Sequence, residues 1–545
     1  MTSDAQTLPA VRRAGGARIE RPVLCPTLVP ATLGLAFSLA LSADTLLRDG
    51  LGGAAFPVWV AMTVVGLAWL AWRAGLSVSR EAAGWLAAAV FFSFGLAWRD
   101  SEVLQAFDFL ATFGTLLLAA ASLDSPHAVL FAPRLRTTAR AALSSLGSAA
   151  SGFAHLVFRD AAAHHDSKRW SVVGQRTLRI ALVAAALTLI FGSLLSSADP
   201  IFASFVAFPN FDLSALVRHA VIVGVLAWVL GGWARGALIE KTDSANGVGV
   251  RTWQLDTLDI TTAFVTLIVL FGGFIVAQLG WLFGGEAFLR ARTGLTAATY
   301  ARKGFFQMVW VVALVIPLLV ATRSALRPGR ALARRHTALA LPVVALLGAI
   351  ILSAALRMRL YVHYYGLSTD RVYPLVFMAW LGFVLVWLSA TTLRGRSQHL
   401  GPGIVLSALG TLAGLNVVVP DVVVARVNVA RSIADVGLPL DSQYLSSLSG
   451  EAAEWAVQAI LDDARRARAT PVDQHPLNRC ATLNGLLGRW GAISPVRASR
   501  TQPGAWRSWN AGEAHALRVV ARREAELEAA QREACVRAKV AAPQG

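Results

Sequence analysis

Apolar windows of about 20 residues recur along the first four-fifths of the chain. A helix rises about 1.5 Å per residue, so each window matches a hydrocarbon core of about 30 Å. The windows centre on 24–43, 57–72, 82–98, 103–123, 177–198, 216–234, 258–283, 305–322, 337–356, 373–393 and 400–419, which predicts about eleven spans. Windows 82–98 and 103–123 lie so close that they predict a tight helical hairpin. Trp72, Trp98, Trp253, Trp281 and Tyr373 stand at window ends, where amphipathic rings favour the headgroup zone. After residue 420 the apolar runs shorten and Arg, Glu and Asp become frequent. The expected fold is all-α: a polytopic transmembrane helix bundle with a C-terminal helical extramembrane domain. The division is a basic N-terminal segment 1–23, a transmembrane helical domain 24–419 and a helical extracytoplasmic domain 420–545.

Composition agrees with a bilayer. Of 545 residues, 55% are hydrophobic and only 15% charged, against about 25% charged in a soluble domain. The net charge of +18 comes mainly from Arg. In a membrane protein such an excess belongs to cytoplasmic loops, so membrane lipids and not nucleic acid are the expected partners, with protein partners unspecified. Abundant Ala, Gly and Arg with little Lys point to a GC-rich bacterial genome, hence to a bacterial cytoplasmic membrane. Arg12, Arg13, Arg18 and Arg21 form a basic lead, but the apolar segment after them lacks a small-x-small cleavage site and reads as a span.

Loop charge sets the expected orientation. With the N-terminus inside, the inside segments hold more than twice the Arg and Lys of the outside loops. Arg323, Arg327, Arg330, Arg334 and Arg335 mark one inside loop, while Arg290, Arg292, Arg302 and Lys303 make 284–304 the main exception. An odd number of spans then places the tail outside the cytoplasm. Persistent disulfides suit that compartment, so Cys480 and Cys535 are a candidate pair, with two independent thiols as the alternative.

The tail reads as helical. Asn510 followed by Glu513 fits a helix N-terminus, and Asp441 before Tyr444 is a second cap candidate. The run 420–431 alternates Val like a strand but begins Pro420-Asp421 and carries Arg426, Asn428 and Arg431, which favours a helix continuing from the last span.

Candidate chemistry is sparse. Asp108 is the clearest ionisable group inside a span, where a charge must face protein or water, and it is the candidate for a proton or ion role. The segment 196–214 carries Asp199-Pro200 and several Phe, suiting an interfacial connector or the mouth of a cavity. The segment 356–374 gathers Tyr361, Tyr364, Tyr365, His363 and three arginines, which suits the headgroup layer or an anionic lipid headgroup. Asp199, Arg302, Arg371, Asp421, Arg426 and Arg431 all fall on the outer side and are expected to form one polar cluster that docks the tail, with at least one Asp–Arg pair. Neighbouring His164, His165 and Asp166 cannot by themselves supply a tetrahedral metal shell. No His-Glu-x-x-His, Gly-x-Ser-x-Gly or phosphate-cradling Gly-rich loop occurs, so no catalytic residue, metal ligand or cofactor is assigned. Gly410 and Gly414 form a close-packing patch for helices.

Several short segments occur here in one order: Ala198-Asp199-Pro200-Ile201-Phe202, Tyr300 to Phe305, Tyr365-Gly366-Leu367-Ser368 with Arg371 and Tyr373, the 420–431 run, Leu440-Asp441 with Tyr444-Leu445 and Leu448-Ser449, and Trp506-Arg507-Ser508-Trp509-Asn510. Together they resemble a bacterial family of uncharacterised multi-pass membrane proteins, the domain of unknown function 4173 type, over roughly residues 170–535. The resemblance implies the architecture and no activity. Val419 departs from it, standing where Asn is expected before Pro-Asp. The functional expectation is an integral membrane protein for envelope sensing, scaffolding or maintenance. The alternatives are a membrane enzyme acting on a lipid-linked substrate, with Asp44 or Asp49 as the outer-loop acid, and a transporter.

Overall fold

The computed structural model describes residues 28–48, 50–76, 78–123, 213–238, 260–276, 305–324, 326, 329–434, 440–469, 476–500, 502 and 504–541. Among them every long element is a helix. Four successive helices, α1 (Leu28–Leu46), α2 (Ala55–Arg73), α3 (Arg80–Trp98) and α4 (Glu102–Ser122), are each long and apolar enough to span a bilayer. Three further apolar helices come next: α5 (Leu213–Leu238), α6 (Ile260–Val276) and α7 (Phe305–Ser324). Then come α8 (Arg330–Tyr365), α9 (Thr369–Ala390) and α10 (Leu400–Val418), which bring the helices meeting the spanning criterion to seven among the described residues. Of the eleven windows, 177–198 lies outside the described residues.

The faces of these helices explain their solvent. Val65, Val386 and Val417 are 68%, 69% and 79% exposed. A soluble bundle would bury such residues, whereas a bilayer lets the lipid-facing side remain apolar. Small residues let the other faces close. Gly66 packs against Leu35, and Ala82, Ala89 and Ala119 are fully buried where α3 meets α4. That hairpin turns in three residues, Arg99 to Ser101. Ser79 caps the start of α3 by accepting from Ala82 N at 3.0 Å. The other half of the bundle packs α6, α7, α8 and α9 around Phe264, Leu319, Val343, Leu347 and Leu388. Helix α8 has 36 residues and is about 54 Å long, so it outreaches the hydrocarbon core.

After α10 the chain enters α11 (Pro420–Ile433) through Val419, whose φ is 52°. The 420–431 run is therefore helical. Pro420 starts the new helix without needing an N–H partner, and Asp421 sits in its first turn. The remaining helices are α12 (Ser442–Ser447), α13 (Ala453–Ala469), α14 (Pro476–Trp490), the short α15 (Pro495–Ser499) and α16 (Ala511–Ala541). Asp441 caps α12 by accepting from Tyr444 N at 2.9 Å. Helices α13, α14 and α16 share a core of Val457, Ile460, Leu483, Leu486, Val520 and Leu527. Cys480 of α14 and Cys535 of α16 are disulfide-bonded, with Cα atoms 4.8 Å apart.

Candidate functional site

The α1–α2, α3–α4 and α8–α9 connections all contact residues after 420, and two sets of polar contacts make that junction.

The first set surrounds the three-residue turn at the tip of α3 and α4. Glu451, just before α13, accepts the backbone N–H of Asp100 at 2.9 Å. Asp100 in return accepts the N–H of Gly450 at 2.6 Å and a guanidinium hydrogen of Arg489 at 3.3 Å. Asn510 is 1% exposed and bonds in both directions. Its Oδ1 accepts from Gly512 N at 2.9 Å and Glu513 N at 3.1 Å, capping α16. Its Nδ2 donates to Leu96 O at 3.1 Å and Arg99 O at 2.7 Å, satisfying carbonyls that α3 leaves free at its C-terminus. One amide thus joins the end of a spanning helix to the start of a tail helix. Glu513 turns to Arg500, 2.6 Å away, in place of reaching back to its cap residue. Nearby, Ala54 N donates to Trp509 O and Ala55 N to Arg507 O, each at 3.0 Å. Gly53 and Gly512 permit this approach, because a Cβ on either would strike backbone or side chain across the junction, and Gly450 lets the chain before α13 close on Gly512 of α16.

Electrostatics of this set follow from burial. Asp421, Glu451 and Glu513 are all pushed above the usual carboxylate range, first by burial. Burial also pulls the Arg99 guanidinium down, against the attraction of Glu451 and Asp108. The positive end of α16 and the Arg489 and Arg500 side chains supply the opposing charge.

The second set closes the end of α8. Arg431 donates to Val362 O at 2.8 Å and His363 O at 2.6 Å, and Arg371 donates to Tyr365 O at 3.0 Å and to Gly366 O. Asn428 exchanges two bonds with the backbone of Leu367, at 2.9 and 2.7 Å. The Arg371 guanidinium also lies over the Tyr361 ring, 4.3 Å from its centroid. These side chains serve as the missing C-cap of a long helix.

The six residues expected to form one cluster therefore have different fates. Asp199 and Arg302 lie outside the described residues. Arg371 and Arg431 cap α8, and Arg426 is exposed. Asp421 is 4% exposed and faces Ser101 and Ser449; among the described residues no arginine pairs with it. For Asp421, the carbonyls at the end of α8 are nearer partners for the Arg371 and Arg431 guanidinium groups than its carboxylate is; a pair made by Asp199 lies outside the described residues. Asp108 is fully buried between α3 and α10, accepting from Asn416 Nδ2 at 2.8 Å, with Gly95 leaving the room its carboxylate occupies. Arg99 donates to the Asn416 carbonyl on the same joint. Sequence pattern did not single out Arg99, Asp100, Glu451, Arg489 and Arg500. A signal existed: Arg99 and Asp100 are charges in a three-residue turn between two spans, where few side chains other than the tail's can pair with them. Among the described residues no group of three or more His, Cys, Asp or Glu is placed to hold a metal ion, and His164, His165 and Asp166 lie outside those residues.

Apolar helices of spanning length around this junction define an all-helical integral membrane protein. The chain belongs to the family described as Domain of unknown function (DUF4153), whose model matches residues 86–458. That match corrects the 4173-type resemblance: the family is of unknown function, but it is a different one. The matched region contains Arg99, Asp100, Asp108, Asp421 and Glu451, and ends before Arg489 and Asn510. No curated protein and no solved structure matches the chain.

Proposed function

We propose that this is a multi-pass protein of a bacterial cytoplasmic membrane that holds a helical domain, residues 420–545, against the extracytoplasmic face for envelope sensing, scaffolding or maintenance. The observation that carries the reading is the Asn510 bridge with the reciprocal Asp100–Glu451 pairing, which ties tail to spans through backbone atoms on both sides. A polar surface made so specific suits a fixed platform better than a tethered, freely moving tail. The outward placement of the tail is supported by the arginine-rich segment at Arg323, Arg330, Arg334 and Arg335, which lies at the opposite end of α8 from the junction. The Cys480–Cys535 bond suits an oxidising compartment. A reporter fluorescent only in the cytoplasm, fused after Gly545, should stay dark; a bright fusion overturns the orientation.

A second reading, an enzyme acting on a lipid-linked substrate, is favoured by one observation. Asp44, at the junction end of α1, bonds to His219 Nδ1 at 2.8 Å. Extraction of the purified protein and analysis for bound polyprenyl phosphate separates the two readings.

A further inference from the structure

Three exposed tryptophans stand at one level of the molecule, one from a span and two from the tail. Trp98 is the last residue of α3 and is 58% exposed. It tops a stripe with Phe94 and Phe91, which lie four and seven residues before it on the same helix face and are also exposed. An open apolar face on a spanning helix is its lipid side, and a Trp at the end of that face stands in the headgroup layer. Trp506 and Trp509 belong to the segment before α16 and are 49% and 40% exposed. Contacts on both sides set their height. Asn510 Nδ2 donates to Leu96 O and Arg99 O, carbonyls that bracket Trp98 in the chain. Trp509 O accepts from Ala54 N, and Arg507 O accepts from the N–H of Ala55, the first residue of α2. The tail tryptophans therefore sit between the end of one span and the start of another, level with Trp98.

The local turn gives the pair a common direction. Trp509 N donates to Trp506 O at 3.2 Å, and residues three apart in such a turn eclipse one another. Between them, the backbone of Arg507 and Ser508 lies against Gly53, where a Cβ would strike both. The middle of the segment is thus pressed onto the spans while the two rings stay open. Among the described residues neither indole N–H has a hydrogen-bond partner.

We infer that Trp506 and Trp509 anchor the tail in the headgroup layer of the bilayer that the spans cross, so that lipid as well as the polar junction holds residues 420–545 in place. An indole has an apolar body and a single N–H donor, which suits the boundary between acyl chains and headgroups. Continuity with the lipid face that Trp98 tops selects the bilayer as the occupant over a second protein. The anchor requires α2 and α3 to lie in the bilayer, and it is the same whichever side the tail occupies.

The test is fluorine NMR of the full chain, labelled with fluorotryptophan and held in phosphatidylcholine nanodiscs. Trp98→Phe, Trp506→Phe and Trp509→Phe each remove one resonance and so assign it, while the remaining resonances report that the fold is intact. Two paramagnetic probes are then compared: a lipid carrying a nitroxide on its headgroup, and a water-soluble gadolinium chelate. The Trp506 and Trp509 resonances should lose intensity to the nitroxide lipid in step with Trp98, and should lose no more than Trp98 does to the chelate. Loss to the chelate alone would put the rings in water and overturn the anchor. Resonances untouched by either probe would put the rings under protein, a second copy or another partner, and would overturn it equally.

Discussion

Replacing Asn510 tests the junction most directly, because its four bonds divide into two separable functions. Asn510→Ala removes the cap of α16, a loss of about 1 kcal/mol. It also strands the Leu96 carbonyl where water enters poorly, at about 1 to 3 kcal/mol, while the Arg99 carbonyl keeps the Gln105 side-chain amide as a donor at 2.6 Å. The sum is about 2 to 4 kcal/mol, a large part of the stability of an ordinary domain. At the lower figure the equilibrium between docked and released tail moves by about thirtyfold. Asn510→Asp separates the parts. Aspartate caps a helix as well as asparagine does, but its second oxygen would face two carbonyl oxygens in place of the amide hydrogens. Aspartate should therefore release the tail about as much as alanine, despite keeping the cap. The assay is hydrogen–deuterium exchange of the full chain in nanodiscs, read at residues 511–520 and 96–101. Both variants should lose protection in the two segments together. Wild-type protection in the aspartate variant would reduce Asn510 to a helix cap and refute the bridge.

Three other outcomes come from the same geometry. Burial raises Asp421, Glu451 and Glu513 above their usual values, so the docked state binds protons more tightly than the released one; their contribution to docking is full below the usual carboxylate range and declines as pH rises through the raised values. The melting temperature of the docked tail should therefore rise on going from about pH 7 to about pH 5, and Asp421→Asn combined with Glu451→Gln should flatten that dependence. Cys480→Ser should destabilise the tail helices by about 4 kcal/mol, the chain-entropy value for the sequence separation of 55 between the two cysteines; reductant should lower the melting temperature of wild type and leave that of the variant unchanged. Val419 is the one residue other than glycine with a positive φ among those described. Asparagine tolerates that conformation better than a β-branched residue, so Val419→Asn should raise the unfolding temperature in detergent, with a gain of about 1 kcal/mol, and an unchanged or lower value would show that no strain is stored there.

The fold was legible where signals are local. Hydropathy over about 20 residues marks spans because a bilayer demands it, and the short gap between windows 82–98 and 103–123 gives the hairpin directly. The helix from Pro420 and the caps at Asp441 and Asn510 rest on neighbouring residues, so the chain order reveals them. The junction was legible only in outline. Asp100 meets Gly450 and Glu451 across some 350 positions, and Asn510 meets Leu96 across 414. Nothing in hydropathy or periodicity encodes a pairing of that range. Charge alone misdirected the choice of partners: Arg371 and Arg431 looked available for Asp421, yet the free carbonyls at the end of α8 are closer and equally in need of donors. Asp100 drew no notice because an exposed carboxylate in a turn is unremarkable until a tail covers it.

That covering explains how so much acidic charge is tolerated at one place. Asp100, Asp421, Glu451 and Glu513 lie near one another, and each of the last three feels Asp100 as a like charge. Left to themselves they would push the tail away. Three features oppose this. The N-terminus of α16 presents its positive end to them. Arg489 and Arg500 approach from the tail side, while Arg99 approaches from the spans. Backbone N–H groups of Asp100 and Gly450 complete the arrangement from opposite sides. Most of the acids belong to the region shared with the family, whereas Arg489, Arg500 and the start of α16 lie beyond it. The family region thus carries an acidic face that is satisfied by the helices beyond residue 458, and it is the physical need of those carboxylates for donors that fixes where the last helices of this chain sit.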